Sequence, residues 1–379
     1  MRTKEINWIP AIVLITYQTL LAIALPIYLY FYTPSLSLII VSVVLLYITG
    51  LSITAGYHRL YSHRAYKVHP IIETIVLFFG AMAGQGSALR WSFDHRLHHA
   101  YVDTDDDPYS IKKGFWYAHF LWILEKPRPI DSKVVPDLLK NKLVMFQEKH
   151  SGKAMILTNF LAFITVGWLL NDYLGAFLIA LWTRLFTLHH FTWFINSLAH
   201  TWGDKPFSQE QSAVNNYVIS LLTFGEGYHN YHHTFANDYR NGIRWYHFDP
   251  TKWLIWGLNK LGLAYDLKRI SPIAINKKLV LEHKNLLIDQ LSAYWQSRRD
   301  DLEKQVHDIS ERLVEKIAQF NQLKEMKKEF KKQGAYVGEM KEKLRQEIKA
   351  LKKSLRDDLR QWSALSRFIL SCEPQLITS

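Results

Sequence analysis

Three histidine clusters constrain this chain more than any other feature. The first is His58-Arg-Leu-Tyr-Ser-His63 and the second is His95-Arg-Leu-His98-His99. The third ends the run Gly225-Glu226-Gly227-Tyr228-His229-Asn230-Tyr231-His232-His233 and repeats the H-x-x-H-H spacing. On an α-helix, positions four apart lie about 40° from one another, and positions three apart lie on the same side. His95 and His99 can therefore grip one metal ion, while the ring of His98, about 100° round, reaches a second. His229, His232 and His233 repeat that arrangement. Eight imidazoles exceed one coordination sphere of about four to six ligands, so the spacing predicts a metal pair. A single cluster of this kind reads equally well as solvated surface histidine; three do not.

Apolar and charged residues are segregated along the 379 residues, which carry a formal net charge of +12. A short basic start, Met1-Arg-Thr-Lys-Glu, leads into an apolar run from about Trp8 to Tyr32. That run is too long for a signal-peptide core and lacks a small-residue cleavage site, so it reads as a retained membrane helix. A charge-free link over 32–37 precedes a second span, about Leu38 to Tyr57, which delivers His58 at its end. Two more spans, about Ala154–Leu170 and Tyr173–Leu198, meet at a turn around Asn171-Asp172. Lys and Arg crowd the N-terminus, the 58–153 loop and everything after His200, so the positive-inside rule puts both termini and all three clusters in the cytosol. The expected fold is an all-α integral membrane protein. Four transmembrane helices carry a cytosolic helical cap that holds a histidine-ligated di-metal site.

Two segments resist simple hydropathy. Ile71–Leu89 is long enough to cross, but crossing would place the first two clusters on opposite sides of the membrane. A shared metal site forbids that, and the segment is expected to pack at the interface or against the bundle. Val214–Tyr228 is too short and polar to span. Arg184 lies well inside the fourth span, where a charge faces a partner or a cavity.

Beyond residue 270 the chain becomes Lys/Glu/Arg-rich. Leu302, Val306, Ile309, Leu313, Ile317, Phe320 and Leu323 step by threes and fours, and Gly334 and Gly338 interrupt the pattern. Val337, Met340, Leu344, Ile348, Leu351, Leu355, Leu359 and Trp362 then resume it. This predicts a second domain, 271–379, beside a membrane-embedded domain, 1–270. It would be an amphipathic helical hairpin or coiled coil serving homo-oligomerisation or partner docking, or packing on itself. Its basic face also suits anionic membrane lipid.

Neutral imidazoles suit Fe, Zn, Cu or Ni. The single cysteine, Cys372, excludes an internal disulfide and thiolate metal sites. No H-E-x-x-H pattern supplies the general base of a hydrolytic zinc site. Metal where membrane helices emerge points to an apolar substrate, and redox-active iron there to O₂ activation and attack on an unactivated C–H bond. No haem-type His-Pro-Gly-Gly, iron–sulfur cysteine set or Gly-rich dinucleotide fingerprint is visible.

The run Thr54-Ala-Gly-Tyr-His-Arg-Leu-Tyr-Ser-His-Arg64, with Asn196-Ser-Leu-Ala-His200, Gly225–His233 and Gly262-Leu-Ala-Tyr-Asp266, resembles the membrane fatty-acyl desaturases. The likeness is to the stearoyl-CoA (acyl-CoA Δ9) desaturase family, from about Ile12 to Arg269. The resemblance implies two iron ions held by nine histidines: His58, His63, His95, His98, His99, His200, His229, His232 and His233. Asn196 would reach one iron through water, and zinc is the expected substitute in purified protein. It also implies an acyl tunnel bent by Gln85, Trp91, Thr192 and Trp193 and closed by Leu46 and Gly50. Asp94 and Lys126 would lie near a CoA head group, where Phe93 replaces the family's arginine. The implied activity is an O₂-dependent cis desaturation near carbon nine of a C16–C18 acyl-CoA. Electrons would come from a separate donor protein, a reduced cytochrome, ferredoxin or reductase, steered by the basic face. The setting would be a bacterial cytoplasmic membrane or the endoplasmic reticulum, and no nucleic acid partner is expected. An acyl-lipid desaturase, a fatty-acyl hydroxylase and a non-enzymatic metal-binding membrane scaffold are the competing readings.

Overall fold

The computed structural model describes residues 5–291, 296–333 and 338–371. The basic residues Met1 to Lys4, together with Gly334, Val337 and Cys372, lie outside the described residues. Contacts divide the chain into two compact units, Met1–Lys205 with Glu210–Arg269, and Pro206–Gln209 with Ile270–Ser379.

In the first unit, four helices are long and apolar enough to cross a membrane: Trp8–Phe31, Leu36–Ser62, Lys142–Leu170 and Tyr173–His200. They leave Ile9, Ile12, Ile156, Leu157 and Trp168 uncovered, as a hydrocarbon solvent permits. Local chemistry sets their ends. The Ser35 hydroxyl accepts from the Leu38 amide at the start of the second span. Asn171 turns left-handed (φ 50°) to stop the third, and Asp172 caps the fourth through the Gly175 amide at 2.7 Å. The Ile71–Leu89 segment forms no helix long enough to cross a membrane. It forms a helix over Pro70–Met82, 13 residues, packed on the second and third spans, followed by a turn and the helix Ala88–Tyr101.

Two stretches, Ser52–Ser62 and Ala176–Thr183, wind as π-helix. The bond from the His63 amide to the His58 carbonyl, 3.1 Å, spans five residues. A short antiparallel pair, Lys67–Val68 with Ala264–Tyr265, then clips the Gly262–Asp266 stretch across the chain just beyond His63.

The second unit contains both expected C-terminal helices, Gln296–Lys332 and Gly338–Ser371, and one more, Pro272–Leu291. Each packs on the other two, so the hairpin is extended to a three-helix arrangement. Its core joins Val280, Leu287, Leu291, Val306, Ile309, Leu313, Trp362 and Ile369. The extra helix escaped the periodicity reading because its apolar positions, among them Ile275, Val280, Leu287 and Leu291, lie before the stripe that begins at Leu302.

Candidate metal centre

Nine histidines from four segments converge in two groups. His58, His63, His95, His99 and His232 form one, and His98, His200, His229 and His233 the other; within each, the candidate ligand nitrogens lie within 4.8 Å of one another. The helices Ala88–Tyr101 and His229–Thr234 exchange ligands. Each gives its i, i+4 pair to one group and the intervening histidine to the other. His58 and His63 meet differently: the π turn brings residues five apart together, and their rings lie 4.8 Å apart.

The Nε2 atoms face one another. His58 approaches His232 at 3.0 Å, His63 approaches His95 at 2.8 Å and His232 approaches His99 at 3.1 Å. In the second group His98 meets His233 at 3.3 Å, and His229 meets His200 at 3.1 Å and His233 at 3.0 Å. Acidic side chains sit behind the rings. Glu226 lies 3.1 Å from His58 Nδ1 and Asp107 lies 2.9 Å from His98 Nδ1. A proton held there leaves a lone pair on Nε2. Burial, and after it mostly the neighbouring imidazoles, holds His63, His95, His99, His229, His232 and His233 well below the ordinary histidine pKa. These side chains are therefore neutral, and converging lone pairs with no cation between them repel. Imidazole nitrogens about 2.1 Å from a shared ion sit about 3 Å apart when adjacent in its coordination sphere. The donor sets fit two metal ions.

A buried ion network braces the larger group. The fully buried Arg59 bonds Glu226 at 2.9 Å, Asp249 at 3.0 Å and the Tyr239 carbonyl at 2.7 Å. Desolvation pushes the Glu226 pKa up, but Arg59 and His58 overcome it and hold the carboxyl below its ordinary value. On the other group, His200 Nδ1 meets the Ser212 hydroxyl at 2.7 Å.

A cavity of about 490 Å³ opens beside the first group and is lined by His58, His95 and Asn196 among others. Trp91 stacks on His95 with ring centroids 4.9 Å apart. Its indole N–H donates to Gln85 Oε1 at 3.2 Å, and Gln85 Nε2 donates to the Thr192 hydroxyl at 2.9 Å. Trp193 lines the same wall. Charged residues Arg90, Asp94, Glu125, Lys126 and Arg128 also border this space. The Asp94 carboxyl is pushed up to about 6 by burial, against the pull of Arg90 at 3.5 Å.

A comparison with known families matches residues 33–268 to the fatty acid desaturase family. The chain belongs to that family. It is 44% identical over 294 residues to a probable acyl-CoA desaturase of Schizosaccharomyces pombe, covering 75% of this chain and 59% of that one. Acyl-CoA desaturase 1 of Saccharomyces cerevisiae is 42% identical over 238 residues, covering 62% and 47%. An sn-2 palmitoyl-lipid 9-desaturase of Nostoc is 37% identical over 230 residues, covering 59% and 78%. The chain thus spans about half of the length of the two yeast relatives.

Other residues named from sequence have the following places in this desaturase domain. Neither Leu46 nor Gly50 lines the cavity. Leu46 packs against the core around Phe224. Gly50 faces the Phe224 ring so closely that a Cβ there would lie 2.3 Å from Cζ. Gly50 therefore permits contact between backbone and ring. Lys126 lines the cavity, but its ammonium is paired with Glu5, whose segment runs antiparallel to it. Phe93, where the family carries arginine, is buried in the core. Sequence reasoning missed Glu226, Asp107, Arg59 and Asp249. Two signals were available: a carboxylate between two glycines just before the third cluster, and an acidic run, Asp105 to Asp107, just after the second.

Proposed function

We propose that this desaturase-family chain binds two iron ions and removes two hydrogens from a saturated fatty-acyl chain, using O₂ and external electrons. The single observation that carries the reading is the meeting of a five-histidine group with a cavity lined by Gln85, Trp91, Thr192 and Trp193. Iron, when bound, supplies the oxidising power for an unactivated C–H bond. The protein's part is positioning. Neutral imidazoles need no proton release to ligate, Glu226 and Asp107 orient two of them, and Asn196 lines the cavity. The Trp91–Gln85–Thr192 chain of hydrogen bonds stiffens the wall against which an acyl chain would bend. Acyl-CoA is the substrate class favoured by the names of the yeast relatives, with the double bond near carbon nine and the clusters on the cytosolic face. The pairing of Lys126 with Glu5, and the lipid-acting Nostoc relative, favour acyl-lipid as the second reading.

The test is gas chromatography of membrane fatty acids from a host expressing the chain, with and without oxygen, beside a His98→Ala control. New cis-monounsaturated acids only with the intact chain and oxygen are expected. Unchanged lipids, in a preparation holding about two irons per chain and supplied with reductant, overturn the proposal. Supplying labelled acyl-CoA or labelled phospholipid to membranes then separates the two carriers.

A further inference from the structure

The intramembrane polar residues converge on one place. The short helix Pro70–Met82 ends inside the bundle, leaving carbonyls that a bilayer does not solvate. Asn159, from the third span, donates to the Met82 carbonyl at 3.1 Å. Arg184, 3% exposed on the fourth span, donates to the same carbonyl at 3.2 Å, to Ala180 O at 3.1 Å, and to Asn159 Oδ1. His189 Nε2 lies 3.0 Å from the Ala83 carbonyl, so that nitrogen carries the proton. Its Nδ1 then accepts from the Tyr17 hydroxyl of the first span at 2.9 Å. Gln147, also on the third span, spans the whole turn: its Nε2 donates to Leu77 O at 2.9 Å and its Oε1 accepts from the Ala88 amide at 2.9 Å.

What these groups hold is the turn Gly84-Gln85-Gly86. Both glycines take positive φ, 69° and 83°, a conformation that side chains disfavour. Between them Gln85 is aimed at Thr192 and Trp91 and lines the cavity. We infer that Arg184, Asn159, His189 and Tyr17 are positioning residues for Gln85, and that this clamp sets where along the acyl chain the double bond forms. The inference rests on the acyl-desaturation reading above.

The physical argument is one of leverage. A misplacement of about 1 Å at a reacting centre costs on the order of 100-fold in rate. Neighbouring carbons of an acyl chain are only slightly farther apart than that. A turn loosened by losing a clamp would thus let adjacent C–H pairs compete, whereas a residue serving stability alone would lower all products together. The clamp also explains why an arginine is retained inside a span, where it needs compensating partners.

The test compares positional isomers of the monounsaturated products, by mass spectrometry after double-bond derivatisation, for wild type, Arg184→Met, His189→Phe, His189→Gln and Tyr17→Phe. Iron per chain is measured on each. Wild type should give one dominant position. Arg184→Met and His189→Phe should raise the neighbouring isomers at least tenfold with iron retained. Tyr17→Phe, which deletes one oxygen and serves if Arg184→Met does not fold, should raise them less. His189→Gln, which keeps a donor toward Ala83 O, should restore most of the wild-type ratio. Variants that slow or stop with iron intact and the ratio unchanged overturn this inference alone. A wild type that makes no double bond, with iron and reductant present, removes the functional reading and this inference with it.

Discussion

At the scale of single residues, the two histidine groups differ in how much they can lose. Five imidazoles surround one position and four the other. Removing His98 leaves His200, His229 and His233, three ligands and an open side, and it strands Asp107, which is buried behind it. His98→Ala is therefore expected to lower bound metal from about two ions per chain to about one, with the spans still folded, because apolar packing and not ligation holds them. Elemental analysis beside circular dichroism checks this; two retained ions would show that His200, His229 and His233 suffice to hold the second ion. The spacing of the second and third clusters separated each i, i+4 pair from its intervening histidine, but which pair joins which group came only with the fold. His200 carries no such pattern, and only the likeness to a family pointed to it. For the bracing carboxylates the sequence marked positions but not partners. Glu226 and Asp249 meet Arg59 from 167 and 190 residues away, and no local rule encodes such contacts.

At the scale of elements, the π-helix Ser52–Ser62 explains a spacing that α-periodicity leaves unexplained. Five residues separate His58 from His63, and only a wider turn puts both on one group. The span that ends in it, Leu36–Ser62, reaches the third cluster through packing. Gly50 touches the ring of Phe224, which is 1% exposed, holds φ 56° and precedes Gly225 and Glu226. Thr54 bonds Thr251 at 2.6 Å, and Thr251 bonds the Phe224 carbonyl at 2.8 Å. Gly50→Ala would drive its methyl into the ring and push on the segment carrying Glu226. Overpacking of this kind costs about 1–3 kcal/mol. The expected outcome is a lower melting temperature and weaker metal retention, with the relative use of different chain lengths unchanged. The double variant Gly50→Ala/Phe224→Leu should recover both, since it makes room at the point of contact. If Gly50→Ala alone shortens the preferred acyl chain with full stability, the ring contact is not what the glycine serves.

At the scale of the whole molecule, the four spans were legible because hydropathy over about 20 residues is a strong signal. The Pro70–Met82 helix needed the added argument that all three clusters must share one side. The third C-terminal helix was not legible, since its apolar positions lie before the regular stripe that begins at Leu302. The two units have separate cores, Ile53 to Phe224 in one and Val280 to Ile369 in the other. No histidine of either metal group lies beyond His233, and His283 and His307 belong to neither. A chain ending near Ser271 should therefore bind metal as the full chain does, within about 20% by elemental analysis, and should desaturate with an artificial donor if the proposed activity holds. The segment Pro206–Gln209 makes this a demanding test. It groups with the C-terminal helices, Phe207 within it is 6% exposed, and Ser212, which holds His200, follows closely. If the C-terminal unit supports the centre through this segment, the loss should fall on the four-histidine group while the five-histidine group stays filled. Loss of one ion per truncated chain, with the other retained, would assign the C-terminal helices a part in holding His200 and overturn the expectation that they are dispensable for the chemistry.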